Sequence, residues 1–420
     1  MEPKNNNKCY ELILNYNCNA RCLFCSQGSF DKSLNADFKL TAENIYGAYK
    51  SGYRRLGLTG GEPLIRTDIL KVISLARSVG FNFIRVQTNG IKLSDPAFCR
   101  RLAGAGLTFC KLSLTSDRPA EHDRLLGVSG AWESAVRGAK TLRKLKIRLG
   151  NNILINALNY KRLPEIIRSF LELGITNFVV IYPVYIGSMA SHSAELGVSL
   201  GECEKYFAEA ADLMDKSGLA GEILFLNVPP CFLKGRESLA IGLDLFNTVV
   251  TDPAGGKNDL DVTANRAKVR APACRYCSLR RRCAGVDAHY AEILGFDGFK
   301  PVLKPRLAQG AVRETPRVFF SDNELCLIEI LKKENPSSTA RVLKLAKNIV
   351  LCRDCSDGNS VLNAAQSLVK KGLVESVFER GHYYWRLIKS TGERVTGHKS
   401  QVTSYKSIRV QKNNVAGEED

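Results

Sequence analysis

Cys18-Asn-Ala-Arg-Cys22-Leu-Phe-Cys25 is the stretch whose reading decides the rest of this chain. Its three cysteines lie in one loop that follows an apolar run, Tyr10-Glu-Leu-Ile-Leu-Asn-Tyr16. Thiolates at this spacing can converge on a soft metal centre, as the loops of iron–sulfur proteins do. A cubane cluster has about four irons, so three thiolates leave one iron open to an outside ligand. An open coordination position separates a working metal site from a structural one. Zinc-binding or simply buried cysteines are the competing reading of the loop taken alone. Further along, Leu58-Thr-Gly-Gly-Glu-Pro63 falls at the end of a second strand-like run and Thr88-Asn-Gly90 at the end of a third.

This combination resembles the radical S-adenosylmethionine (SAM) superfamily. The likeness rests on the CxxxCxφC loop (φ aromatic, here Phe24), the Gly-Gly-Glu motif and their order, and it covers roughly the first half of the chain. It implies a [4Fe–4S] cluster on Cys18, Cys22 and Cys25, whose open iron chelates the amino and carboxylate groups of SAM. Reduction by one electron, from a flavodoxin- or ferredoxin-type donor, would cleave SAM to methionine and a 5′-deoxyadenosyl radical that abstracts hydrogen from substrate. Gly60 and Gly61 lack Cβ atoms and would let the backbone approach the methionine moiety. Glu62 would contact the cofactor or only brace the turn, and Asn89 is a further cofactor contact. Phe24 would shield the cluster and pack near adenine. Ser113, in Lys111-Leu-Ser-Leu-Thr-Ser-Asp117, resembles the family serine that hydrogen-bonds the ribose or the SAM carboxylate, and Asn156 is a second ribose candidate. Glu121-His122-Asp123-Arg124 with Gly127 also looks like this superfamily, although His122 and Arg124 read as helix-start and loop residues and not as ligands.

At 420 residues the chain predicts two or three domains, since single cores stop growing near ~250–300 residues. Hydrophobic content of 45% and charged content of 24% are those of a globular protein. No apolar stretch approaches the ~18 residues that cross a bilayer, which predicts no membrane association. Fourteen cysteines without a secretion signal argue for metal and a reducing, cytoplasmic setting, not for disulfides. The net charge of +18 gathers in Arg137 to Arg168, Arg266 to Arg282 and the tail from Lys389 to Lys412. Solvated helix faces and nucleic-acid contact are both compatible with that distribution.

Residues 10–16, 54–59, 82–88, 107–114, 148–157 and 177–184 read as buried strands. Stretches 41–51, 68–79, 95–105, 131–146 and 161–173 read as helices, the second capped by Thr67 with Asp68. Such alternation predicts βαβ units and a buried parallel sheet. The fold class is therefore α/β, a partial (β/α)6 TIM-like barrel over residues 1–200, with chemistry collected at the carboxyl ends of the strands.

A second cysteine centre follows in Pro272-Ala-Cys274-Arg-Tyr-Cys277 and Cys283-Ala-Gly285. Cys231, in Val228-Pro-Pro-Cys231, is the candidate fourth ligand. Four thiolates would close a cluster or bind zinc. With Tyr290, Gly295 and Pro301 the pattern resembles the SPASM or twitch extensions of the superfamily, which implies an auxiliary [4Fe–4S] cluster in a small domain at 201–312. Arg280, Arg281 and Arg282 would shield its charge or face solvent.

From Ser321 three helix-like stretches precede a β-hairpin, and residues 318–390 resemble a winged helix. Its third helix would present Asn359, Ser360, Asn363, Gln366, Ser367 and Lys370 to a groove. Ten Lys or Arg against eight Asp or Glu in 321–388 is a weak balance for phosphate neutralisation. Peptide binding along the wing, as leader-binding domains do, is the other use. Cys352 and Cys355 form a CxxC read as structural, and 391–420 reads as a disordered tail. Three functions follow: a radical SAM enzyme acting on a peptide or protein, the same chemistry on RNA or another nucleic-acid-linked substrate, or a DNA-binding regulator that senses redox state through its clusters.

Overall fold

Apolar strands separated by amphipathic helices bury both faces only by pairing side by side with the helices laid over them. The computed structural model describes residues 9–241, 249–259, 267–303, 322–346, 358–370, 372–379 and 382–388. In it β1 (Cys9–Ile13), β2 (Arg55–Thr59), β3 (Phe83–Thr88), β4 (Phe109–Leu112), β5 (Arg148–Leu154) and β6 (Asn177–Ile181) lie in chain order, all parallel. They are connected through α1 (Phe38–Lys50), α2 (Ile69–Val79), α3 (Pro96–Ala105), α4 (Pro119–Leu126), α5 (Ala131–Lys144) and α6 (Leu163–Glu172). Leu12, Leu56, Leu58, Ile84, Val86, Cys110 and Leu112 share one core with Val72, Ile73, Leu102, Leu142 and Ile166 of the helices. Burying each Leu or Ile there contributes ~1.5–3 kcal/mol. The α/β partial barrel expected from the sequence is the fold observed.

Two features depart from the expectation. Asp68 does not cap α2 with its side chain; its carboxylate pairs with Arg66 instead. The sheet also continues past β6, through β7 (Ile223–Leu226) and β8 (Ala240–Ile241), both parallel. At its other edge β9 (Val249–Thr251) pairs parallel to β1 and β10 (Lys257–Asp259) antiparallel to β9, making ten strands. Four strands from within the 201–312 segment, β7 to β10, thus pair into the barrel sheet. These strands are too short to carry a periodic signal; what recruits them is the row of unpaired backbone groups at each edge. Tyr10 Oη and Thr251 Oγ1, 2.7 Å apart and buried, fasten one such edge.

The cysteine-rich segment forms a two-stranded sheet of β11 (Lys268–Val269) and β12 (Val286–Asp287), followed by a helix, Ala288–Leu294. Tyr290 anchors it: fully buried, its hydroxyl accepts from Leu200 N (3.2 Å) and its ring meets Tyr182 and Phe299.

Contacts divide the chain into two units, Met1–Pro305 and Arg306–Asp420. The second has its own core, in which Leu327, Ile330, Val361, Ala365, Leu368 and Trp385 are buried. Helices Asp322–Lys333, Thr339–Ala346 and Gly358–Lys370 precede the hairpin Val374–Glu379 and His382–Leu387, as the sequence predicts. A short strand, Ser337–Ser338, adds to the hairpin and completes a three-stranded sheet. Cys352, Cys355 and the tail 391–420 lie outside the described residues. Among the described residues no helix is long and apolar enough to cross a membrane.

Candidate metal and cofactor centres

β1 delivers the chain to the carboxyl end of the sheet, where residues 14–28 are clasped from several sides. Leu14 N donates to Thr59 O (2.8 Å), and Arg66, almost fully buried, donates to Leu14 O. Within the cysteine loop, Arg21 N and Leu23 N donate to Leu126 O and Leu125 O at the end of α4. Cys25 O accepts from Gly28 N and from Ser188 N. The half-buried thiols of Cys18, Cys22 and Cys25 are thus carried on a loop tied by its backbone to the end of α4 and to Ser188. Burial pushes the Cys18 and Cys22 thiols up, and the neighbouring cysteines add to it. Grouped soft donors that disfavour one another's ionisation are suited to a cation that relieves the repulsion. Among the described residues no three His, Cys, Asp or Glu side chains converge on a point that one ion could occupy. A cubane does not need that convergence, because each thiolate takes a separate iron. The three thiols fit such a cluster.

The Gly-Gly-Glu turn supports this loop directly. At Gly60 (φ +152°) a Cβ would lie 2.4 Å from Asn15 O, and at Gly61 one would lie 2.3 Å from Asn17 O. The missing side chains therefore admit the backbone entering the cysteine loop, and Gly61 N and Glu62 N donate to Asn15 O and Asn17 O. Glu62 is completely buried. Its carboxylate accepts from Leu64 N (2.9 Å), Thr88 Oγ1 (2.8 Å) and Asn89 N (2.8 Å). Burial raises its pKa to about 7, and those three donors work against the rise. Of the two roles open to Glu62, bracing β2 against β3 is the one its contacts serve. Asn89, so positioned, donates through Nδ2 to Asn19 Oδ1 (2.8 Å) and toward Cys18 Sγ (3.7 Å).

The remaining expected cofactor contacts divide. Phe24 packs partly buried against the barrel core. Ser113 lies half-buried one residue past β4, and its hydroxyl has no hydrogen-bond partner among the described residues. Asn156 is fully buried, and its amide is used inside its own loop: Oδ1 accepts from Leu158 N and Nδ2 donates to Leu154 O. Asn151 and Asn159, not anticipated, hold the loop after β4 by binding Leu114 N, Leu114 O and Thr115 O. His122 is a core residue, its Nδ1 3.2 Å from Thr115 Oγ1, and burial lowers its pKa to about 4. Arg124 pairs with Glu195.

The sheet face opposite the helices carries polar residues the sequence reading passed over. Arg85 pairs with Glu11, and Lys111 Nζ donates to Asn177 Oδ1 (2.6 Å). Burial brings Lys111 down to about 7. The available signal was a charge in the middle of an apolar strand, as in Leu107-Thr-Phe-Cys-Lys-Leu112; on a sheet whose other face is packed, alternation sends it to the lumen.

In the second cysteine centre, Cys231, Cys274, Cys277 and Cys283 line one pocket, with Arg270, Arg280 and Phe299 among its walls. Burial raises Cys231 to about 12, and the other three cysteines add to the rise. The residue most distant in sequence is thus brought beside the CxxC-x5-C turn, and four soft donors fit a second cluster.

The fold and the thiol loop define a class, and comparison with known proteins agrees with it. Residues 12–170 match the family described as the radical SAM superfamily. Over 211 residues it is 30% identical to a "Probable GTP 3',8-cyclase" of Sulfurisphaera tokodaii, which covers 49% of this chain and 64% of that protein. It is 27% identical over 176 residues to the PqqA peptide cyclase of Gluconobacter oxydans, 41% of this chain and 49% of the relative. The chain thus spans less than two thirds of the length of these two relatives. Among solved structures, Streptococcus suis SuiB bound to precursor peptide SuiA aligns with a TM-score of 0.55 at 13% identity, covering 73% of this chain and 76% of that one. Native anSMEcpe with bound AdoMet and the Kp18Cys peptide aligns at 0.50 and 16% identity, covering 66% and 89%. At such identities the structural likeness establishes the fold.

Proposed function

We propose that this chain is a radical SAM enzyme that acts on a peptide or protein. The observation that carries the reading is the clasped loop of Cys18, Cys22 and Cys25 at the carboxyl end of the parallel sheet, with Asn89 at its first thiol. Cys18, Cys22 and Cys25 would hold a [4Fe–4S] cluster, which would supply one-electron chemistry toward SAM. The protein's part is positional. Gly60 and Gly61 let the loop seat against β2, Glu62 fixes β2 to β3, and the half-buried Ser113 hydroxyl is available to a ribose or carboxylate oxygen. The peptide assignment is supported by the PqqA peptide cyclase relative and by SuiB with its precursor peptide. A second centre on Cys231, Cys274, Cys277 and Cys283 and a winged-helix reading of the second unit, as the place where a leader would bind, accord with it. The GTP 3',8-cyclase relatives favour a nucleotide-linked substrate as the second reading.

The test is anaerobic reconstitution with iron and sulfide, then SAM and dithionite, reading 5′-deoxyadenosine by chromatography. Cys22→Ala is expected to remove about four irons per chain and all deoxyadenosine; a variant that still forms it would refute the ligand set. Incubation with short peptides encoded beside the gene, read as a mass change, separates the peptide reading from the nucleotide one.

A further inference from the structure

We propose that the cationic surface around the four-thiol pocket is the docking face for an acidic one-electron carrier protein, such as a flavodoxin. The inference rests on reading Cys231, Cys274, Cys277 and Cys283 as cluster ligands. Between β11 and Cys283 the chain carries Arg270, Arg275, Arg280, Arg281 and Arg282, and no Asp or Glu. Arg275, Arg280, Arg281 and Arg282 are exposed. Arg270 is directed onto the site, donating through Nε and Nη2 to Cys283 O at 3.2 and 3.0 Å.

A cubane on four thiolates carries about two or three negative charges. These cations exceed it, so the surface stays positive when the cluster is bound. Apolar groups share the patch: Tyr276 is 63% exposed beneath Arg275 (4.6 Å to the ring centre), and Leu303 is 65% exposed. Ser278, donating to Val302 O through N and Oγ, holds that second group beside the cysteine turn. An apolar contact ringed by one sign of charge, with a redox group half-buried at its centre, matches a small, electrostatically steered electron-transfer interface. A nucleic acid would use the charge but not the redox centre. One electron leaves the carrier's reduced flavin, which is oxidised, and enters the cluster, which is reduced; no covalent bond forms or breaks.

The experiment compares the reconstituted wild type with Arg280→Glu/Arg281→Glu/Arg282→Glu. Affinity for oxidised flavodoxin is read by flavin fluorescence, and cluster bleaching by reduced flavodoxin is read by stopped flow, at about 0.02 and about 0.3 M salt. The variant is expected to bind more weakly and to be reduced at least ~10-fold more slowly at low salt, with a smaller gap at high salt. Dithionite should reduce both proteins equally. Equal flavodoxin binding and rate in the variant overturn the docking face, and so does a matching slowdown with dithionite, which would place the defect in the cluster. Iron content keeps the two ideas apart: about four irons per wild-type chain, not about eight, overturns the underlying ligand reading.

Discussion

His122 and Glu62 are both buried titratable side chains, and their surroundings give them different work. Glu62 has three donors on its two oxygens, so each end of its carboxylate is tied to the backbone that shapes the thiol loop. Among the described residues His122 has Thr115 as its partner at Nδ1 and none at Nε2. Its folded pKa lies near 4, below the ordinary value of 6.5. The unfolded chain therefore binds more protons between those values, and the neutral histidine's contribution, complete above about pH 6.5, is lost as pH falls toward 4. The whole shift is worth roughly 3 kcal/mol. His122→Gln is expected to make the fall in urea midpoint between about pH 7 and about pH 4.5 shallower by up to about one proton. Identical slopes for the two proteins would refute that account of the residue.

The Gly-Gly-Glu turn belongs to the scale of elements, because its job is to seat one chain segment on another. The sequence reading assigned Gly60 and Gly61 to closeness with the cofactor. What their Cβ atoms would strike is the protein's own backbone at Asn15, Tyr16 and Asn17. Gly61→Ala must push that segment away, and small-to-large changes at close contacts cost ~1–3 kcal/mol. We expect lower iron retention at the first centre after reconstitution, together with a reduced melting temperature. Wild-type iron content in the variant would show that the loop can be carried without this contact. The residues responsible were visible in the sequence; the partner they touch was not, since residues 15–17 and 60–61 meet only after β1 and β2 pair.

Across the whole molecule, two sets of cysteine thiols are assembled by different means. The first is drawn from one loop, the second from a turn and from Cys231 in a distant 3₁₀ segment, Pro230–Phe232. Cys231→Ala is expected to reduce iron by about four per chain while dithionite-driven deoxyadenosine formation continues and substrate turnover is lost. Retention of full iron would remove Cys231 from the ligand set. A buried tyrosine cluster around Tyr290 joins the second centre to the barrel core.

By itself the sequence determined the strand and helix order of the barrel, the three-thiol loop, and the helices and hairpin of the second unit. Each is written in spacings of a few residues or in period-2 and period-3.6 patterns, which covalent neighbours and local burial enforce. Only the tertiary structure decided that Cys231 joins the second thiol set, that β7 to β10 extend the sheet, and that the Asn156 amide bonds within its own loop. Those outcomes depend on which edges and side chains remain unpaired once the sheet has formed, a property of packed neighbours far apart in the chain that no local pattern contains.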